Sequence, residues 1–182
     1  CHTIVGGAVH ANLQSEGANV MSEMASFLSE KQRQGVVPKV WFTAGVHPHD
    51  AIQWDENSHS ILLKLLQDPF CVALGEFGLD YDRMFSPKQV QLDVMRKHLE
   101  LLEQLGDRGK TMPLFLHERE SSLRDLGSSE DMLRLLDEFG IEPSRVCVHC
   151  FTGPETTLQE YVSRGYFIGF TGFIGMLKRG DH

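Results

Sequence analysis

Three apolar runs in this 182-residue chain end abruptly in a side chain able to bind a metal. Residues 70–74 lead through Gly75 into Glu76, Pro113-Leu114-Phe115-Leu116 stops at His117, and Arg145-Val146-Cys147-Val148 stops at His149. Runs this short and this apolar are strands buried on both faces, which is how strands of a parallel sheet read. In such a sheet all strands point the same way, so their terminal side chains gather at one rim. Glu, His and His at the tips of three successive strands are what a hydrolytic metal centre in an α/β barrel needs.

The rest of the chain keeps the same rhythm. Residues 3–9 and 40–46 read as strands, and 166–170 as the last one. From Ala18 on, Met21, Met24, Ala25 and Leu28 fall on one helical face, which Gly35 and Pro38 terminate. Residues 58–67 form a helix that buries Ile61, Leu62, Leu65 and Leu66. Ser86-Pro87-Lys88-Gln89 starts the next, with Ser86 as N-cap and Pro87 in the first position. Leu92, Met95, Leu99 and Leu102 continue it, and 106–110 reads as a charged surface insertion. Further helical faces carry Met132, Leu135, Leu136 and Phe139, then Leu158, Tyr161 and Val162, the last closed by Gly165. Six strands alternating with five helices predict a parallel sheet covered by helices. An open doubly wound sheet and a (β/α)8 barrel both satisfy this pattern. No Gly-rich phosphate loop follows the first strand, so the barrel is the expected fold.

Composition sets wider bounds. The length suits one domain over residues 1–182. No stretch approaches the roughly 18 apolar residues of a membrane span, and no signal peptide opens the chain. Four cysteines without framework spacing point to a reducing compartment, hence an intracellular protein, cytoplasmic or nuclear. A net charge of −8 argues against a generic basic nucleic-acid binder. It does not exclude an enzyme that meets phosphates through bound divalent cations, whose charge no residue count includes.

Each candidate has a plainer reading beside the chemical one. Glu76 could cap a loop, but a carboxylate after a buried run is costly unless paired or bound to metal. His117 and His149, taken singly, read best as neutral core imidazoles; at equivalent strand ends they favour ligation. Cys147 and Cys150 form a C-x2-C, yet side chains three apart on a strand face opposite ways and no second pair exists, so a zinc or redox site is rejected. His47 and His49 sit in a loop open to substrate or to solvent. Asp80 and Arg83 follow the Glu76 strand, and Arg83 could meet a phosphate or Asp82. The other histidines, His98 included, are expected at the surface.

Gly45-Val46-His47-Pro48-His49, Gly75-Glu76-Phe77-Gly78-Leu79-Asp80, Pro113-Leu114-Phe115-Leu116-His117 and His149-Cys150-Phe151-Thr152-Gly153 resemble, in order and spacing, the TatD family of metal-dependent deoxyribonucleases. Thr171-Gly172 is a weaker fifth match. The likeness spans essentially the whole chain. It implies a TIM barrel of the amidohydrolase-like kind and divalent ions (Mg2+, Mn2+ or Zn2+, two per complete site). It also implies hydrolysis of phosphodiester bonds in DNA and a monomeric intact protein. Glu76 is similar to the family's metal-bridging glutamate, His117 and His149 to its histidine ligands, and the His47–His49 segment to one bordering the substrate. His47, His49, Asp80 and Arg83 are the expected substrate contacts.

Departures accompany the likeness. The family's first-strand His-x-His pair and its last-strand aspartate have no counterpart here, so the chain corresponds to family strands two to seven. An incomplete barrel is expected to be marginally stable and to self-associate through open strand edges. Glu118 and Glu120 flank Arg119 where the family more often has Cys and Asp. Two other readings follow: an inactive truncated fragment, or an amidohydrolase acting on C–N bonds. The second would favour a carboxylated lysine, and Lys64 and Lys110 do not lie at strand ends.

Overall fold

The computed structural model describes residues 3–4, 30–31, 33–35, 40–121 and 124–172. Six parallel strands among them follow sequence order: β1 (Thr3–Ile4), β2 (Val40–Ala44), β3 (Cys71–Asp80), β4 (Leu114–Arg119), β5 (Val146–His149) and β6 (Phe167–Ile168). β2 to β6 make the main ladder, and β1 adds a two-residue pairing along β2. Five helices are described: α1 (Glu56–Leu66), α2 (Lys88–Gln104), α3 (Asp107–Thr111), α4 (Ser128–Glu138) and α5 (Glu155–Arg164). Sequential parallel strands with helical crossovers form part of a (β/α) barrel, as the alternation predicted.

Most of the helix expected from Ala18 lies outside the described residues. Its last turn is described: the Gln34 N–H donates to the Glu30 carbonyl at 3.1 Å, and Gly35 follows with φ +69°. α1 starts two residues earlier than its apolar pattern suggested. Asp55 is the true N-cap, and it exchanges bonds with Ser58 in a capping box.

The core lies between the sheet and its helices. Along β3, Phe77 and Leu79 are fully buried on the helix side, while Glu76, Gly78 and Asp80 face the interior. On β4, Leu114 and Leu116 face the helices and Phe115 and His117 the interior; on β5 the same alternation separates Val146 and Val148 from Cys147 and His149. The candidate ligands Glu76, His117 and His149 thus share one face at one rim.

Two expectations need correction. His98 is not at the surface. It is fully buried in α2, stacked on Phe77 with ring centroids 4.7 Å apart and planes 11° apart. Its Nε2 accepts the Val46 N–H (2.8 Å) and its Nδ1–H donates to the Val94 carbonyl (2.7 Å), so one neutral imidazole ties the helix to the tip of β2. Ser86 does not cap α2: its hydroxyl donates to the His49 carbonyl and accepts the Ile52 N–H instead. Residues 106–110 lie at the surface as expected, exposed apart from Gly109. They wind into α3, whose Arg108 guanidinium donates to the carbonyls of Leu66, Asp68 and Cys71 at 2.7 to 2.9 Å. Three carbonyls in the α1–β3 turn suit the fork geometry of arginine.

His98 gives a pH prediction. Burial holds its pKa down to about 4, against about 6.5 in the unfolded chain. Between those values the unfolded state binds the extra proton, so acid removes stability there. Chemical denaturation at pH 7.5 and pH 5 should differ by about 2 kcal/mol more in the wild type than in His98→Gln. Equal pH slopes in the two proteins would refute this.

Candidate metal centre

Glu76 reaches the interior because β3 is irregular at that point. The register with β4 shifts between Gly75 and Phe77, leaving Glu76 as the extra residue of a bulge. A bulge re-aims one side chain without ending the strand. β3 then continues four residues past Glu76 to Asp80, further than its apolar run suggested.

The Glu76 carboxylate is 8% exposed and faces three imidazoles. Its Oε1 lies 2.5 Å from His149 Nε2, 2.9 Å from His117 Nδ1 and 3.4 Å from His47 Nε2. Burial alone would raise its pKa, but hydrogen bonds from His117, His149 and His47 outweigh burial and hold the carboxyl far below the usual range. Asp80 has the same balance. It is fully buried, and bonds from His117, the Arg83 N–H and His49 keep it ionised despite desolvation. Its Oδ2 sits 2.7 Å from His49 Nε2 and 3.1 Å from His117 Nε2, and its Oδ1 accepts the Arg83 N–H. Burial disfavours charge on His117, but its two carboxylate partners prevail and raise its pKa.

Hydrogen bonding assigns the tautomers. The His49 N–H donates to His47 Nδ1 at 3.2 Å, so neutral His47 carries its proton on Nε2, pointing at Glu76 and His117. Burial keeps His47 neutral by lowering its pKa. Asp80 takes the Nε2–H of His117, so on the neutral ring Nδ1 turns its lone pair towards Glu76. An imidazole lone pair and a carboxylate oxygen 2.9 Å apart require a proton or a cation between them.

Among the described residues two groups bring three ligand atoms within 4.8 Å of one another: Glu76, His117 and His149, and His47, His49 and His117. The first suits a divalent cation, with one anionic oxygen and two imidazole nitrogens converging. The second does not: Nε2 of His47 carries the proton, and Nε2 of His49 is engaged by Asp80. A carboxylate behind a ligating histidine is the usual second layer of such centres, and Asp80 behind His117 has that geometry.

Of the expected site residues, Glu76, His47, His49, Asp80, His117 and His149 come together. The Arg83 side chain is exposed and lines a groove beside them. Cys147 and Cys150 are free thiols. Sequence reading missed Gln91 and gave Glu118 and Glu120 no role. Gln91, 1% exposed, clamps Asp80 by accepting its N–H and donating to its carbonyl, and also donates to the Ser86 carbonyl. Glu120 accepts the N–H groups of Ser121, Leu126 and Ser128, closing the loop into α4. Glu118, whose pKa is raised by burial, bonds the Ser128 hydroxyl on the helix side. A lone Gln amid helical apolar spacing is the one signal that could have exposed Gln91.

The family model described as TatD related DNase matches residues 7–180, a span holding every residue of this centre. The "3'-5' ssDNA/RNA exonuclease TatD" of Edwardsiella piscicida is 42% identical over 140 residues, covering 77% of this chain and 49% of that protein. The protein of the same name from Cronobacter turicensis is 34% identical, covering 93% of this chain and 62% of its own length. The chain thus spans about half to three-fifths of the curated relatives it matches. Among solved structures, a hydrolase TatD family protein from Entamoeba histolytica superposes with a TM-score of 0.68 at 27% identity, covering 94% of this chain and 52% of that one. An uncharacterized amidohydrolase from Saccharomyces cerevisiae, 23% identical, shares the fold with a TM-score of 0.65, covering 94% of this chain and 57% of its own. The motifs that end β3, β4 and β5 lie inside the matched span and converge on one carboxylate, and the chain belongs to the TatD-related DNase family.

Proposed function

We propose that this chain carries the core of a metal-dependent nuclease that hydrolyses phosphodiester bonds of DNA. The observation that carries the reading is one buried carboxylate oxygen, Glu76 Oε1, within 3.4 Å of three imidazole nitrogens at the rim of a parallel sheet. Glu76, His117 and His149 would hold the cation, with two ions in a complete site and Mg2+, Mn2+ or Zn2+ as candidates. A divalent ion there supplies Lewis acidity, polarising a phosphate oxygen and making water more acidic.

The chain's own groups do the remaining work. Asp80 fixes the ring and tautomer of His117, a positioning role that its complete burial suits better than substrate contact. His47, neutral with its proton on Nε2, is the donor nearest the cluster and is placed to bond a phosphate oxygen. His49 braces His47 through its backbone and Asp80 through its ring. Arg119 stands 3.8 Å from Asp80, and the exposed Arg83 is placed to meet a phosphate at the edge of a groove of mixed charge. Lys64 and Lys110 lie on helices α1 and α3, and the carboxylate that faces the imidazoles belongs to Glu76, so neither lysine is the bridging group the C–N hydrolase reading needs.

The test is degradation of end-labelled single-stranded DNA by the purified chain with magnesium or manganese, against a chelator control. Folded protein with no metal-dependent cleavage would refute the proposal. A second expectation concerns Asp80→Asn, which should weaken divalent-ion binding about 10- to 100-fold by calorimetry, as loss of an outer carboxylate does elsewhere. Unchanged affinity would remove Asp80 from the centre.

A further inference from the structure

The metal rim carries an apolar surface that the centre itself does not use. Phe85 is 65% exposed, Ile52 61% and Met84 41%, on the two loops that bracket His49. These loops are tightly held. The Ser86 hydroxyl donates to the His49 carbonyl at 2.9 Å and accepts the Ile52 N–H at 3.0 Å, fastening one loop to the other. Gln91 holds Asp80 before Phe85 in the chain and the Ser86 carbonyl after it. Met84 has φ +50°, a left-handed conformation uncommon for a side chain of its size and found most often where function dictates the backbone. An aromatic ring is thus presented to solvent by a braced loop.

Its neighbours indicate what it meets. Phe85 packs edge-on against His49, with ring centroids 4.7 Å apart and planes at 83°. The His49 ring is 4.3 Å from that of His47 and 5.9 Å from that of His117. Phe85 therefore stands two ring contacts from a metal ligand. Two residues before Phe85, Arg83 lines a groove of about 1430 Å³ in which Arg119 and Arg124 stand among carboxylates such as Asp82, Glu120 and Asp125. An exposed aromatic ring next to a candidate phosphodiesterase centre matches an unpaired base, whose π-face stacks on such a ring.

We propose that Phe85 is a stacking platform for an unpaired nucleobase next to the phosphate being cleaved, flanked by Met84 and Ile52. The proposal rests on the nuclease reading and adds a basis for strand preference. A base already paired and stacked in a duplex must leave its stack to lie on Phe85, so the platform favours single strands over duplex.

Equilibrium binding in manganese to a fluorescent oligothymidylate, phosphorothioate-linked to slow hydrolysis, tests it against an abasic sugar-phosphate chain of equal length. Phe85→Ala should bind the thymidylate about tenfold more weakly and the abasic chain within about twofold of wild type. Phe85→Trp should restore thymidylate binding. A 5-iodouracil at the terminal position should photocrosslink to the wild type and not to Phe85→Ala. Equal losses on both ligands, or none on either, overturn the platform. A wild type that cleaves DNA while Phe85→Ala binds thymidylate normally sinks the platform alone. A wild type that neither binds nor cleaves sinks the nuclease reading and the platform with it.

Discussion

Glu76→Gln should lower metal-dependent cleavage on the order of a thousandfold while the chain still folds. The isosteric amide keeps the volume of the side chain and removes its charge. Glu76 contributes the one carboxylate oxygen of the candidate ligand set, the other donors being imidazole nitrogens. Lewis-acid stabilisation by a bound ion is worth several kcal/mol, and about 4 kcal/mol corresponds to a thousandfold in rate. The same change should abolish tight manganese binding by calorimetry, a readout independent of turnover. Circular dichroism should report native helix content, because β3 keeps its bulge and its pairing with β4. Wild-type cleavage by the folded variant would show that the ion is held elsewhere, and the assignment of Glu76 would fall.

The sequence exposed this centre because its ligands end apolar runs. Glu76, His117 and His149 each break a stretch of buried strand, and strand ends in a parallel sheet share a rim. His47 and His49 were visible as a polar cluster after β2. Residues whose role depends on contacts distant in sequence were less legible. His98 lies in a helix whose pattern does not require it inside; its burial follows from Phe77 above it and the Val46 N–H that needs an acceptor, 52 positions away. Ser86 and Pro87 read as a helix start, but the Ser86 hydroxyl turns to the His49 carbonyl and the Ile52 N–H and makes no capping bond. Asp80 looked like a loop carboxylate because the apolar run stopped at Leu74. The strand continues to Asp80 because Gly75 and Gly78 let β4 approach closely where larger residues would have announced a strand.

That close approach yields the largest expected effect on stability. Gly78 lies opposite His117 with φ +142°, a conformation that side chains rarely adopt. A Cβ built there would lie 2.0 Å from the His117 carbonyl oxygen, a backbone atom that cannot rotate away. Gly78→Ala must therefore open the β3–β4 pairing or rotate the peptide, and either response moves His117 and the Glu76 bulge beside it. Backbone strain contributes about 1 to 3 kcal/mol, and disruption of packing around Phe77 and Leu79 adds to it. A total of about 4 kcal/mol would lower the melting temperature by roughly 10 °C in a domain of this size, or prevent folding altogether. Differential scanning fluorimetry without and with manganese separates the two consequences. The variant should melt earlier in both conditions, and it should lose the metal-induced rise of the wild type, because the histidine that shifts is a proposed ligand. A Gly78→Ala chain that melts within a degree or two of wild type would mean that β3 and β4 are not in contact at this position. The register that brings Glu76, His117 and His149 together would then be wrong.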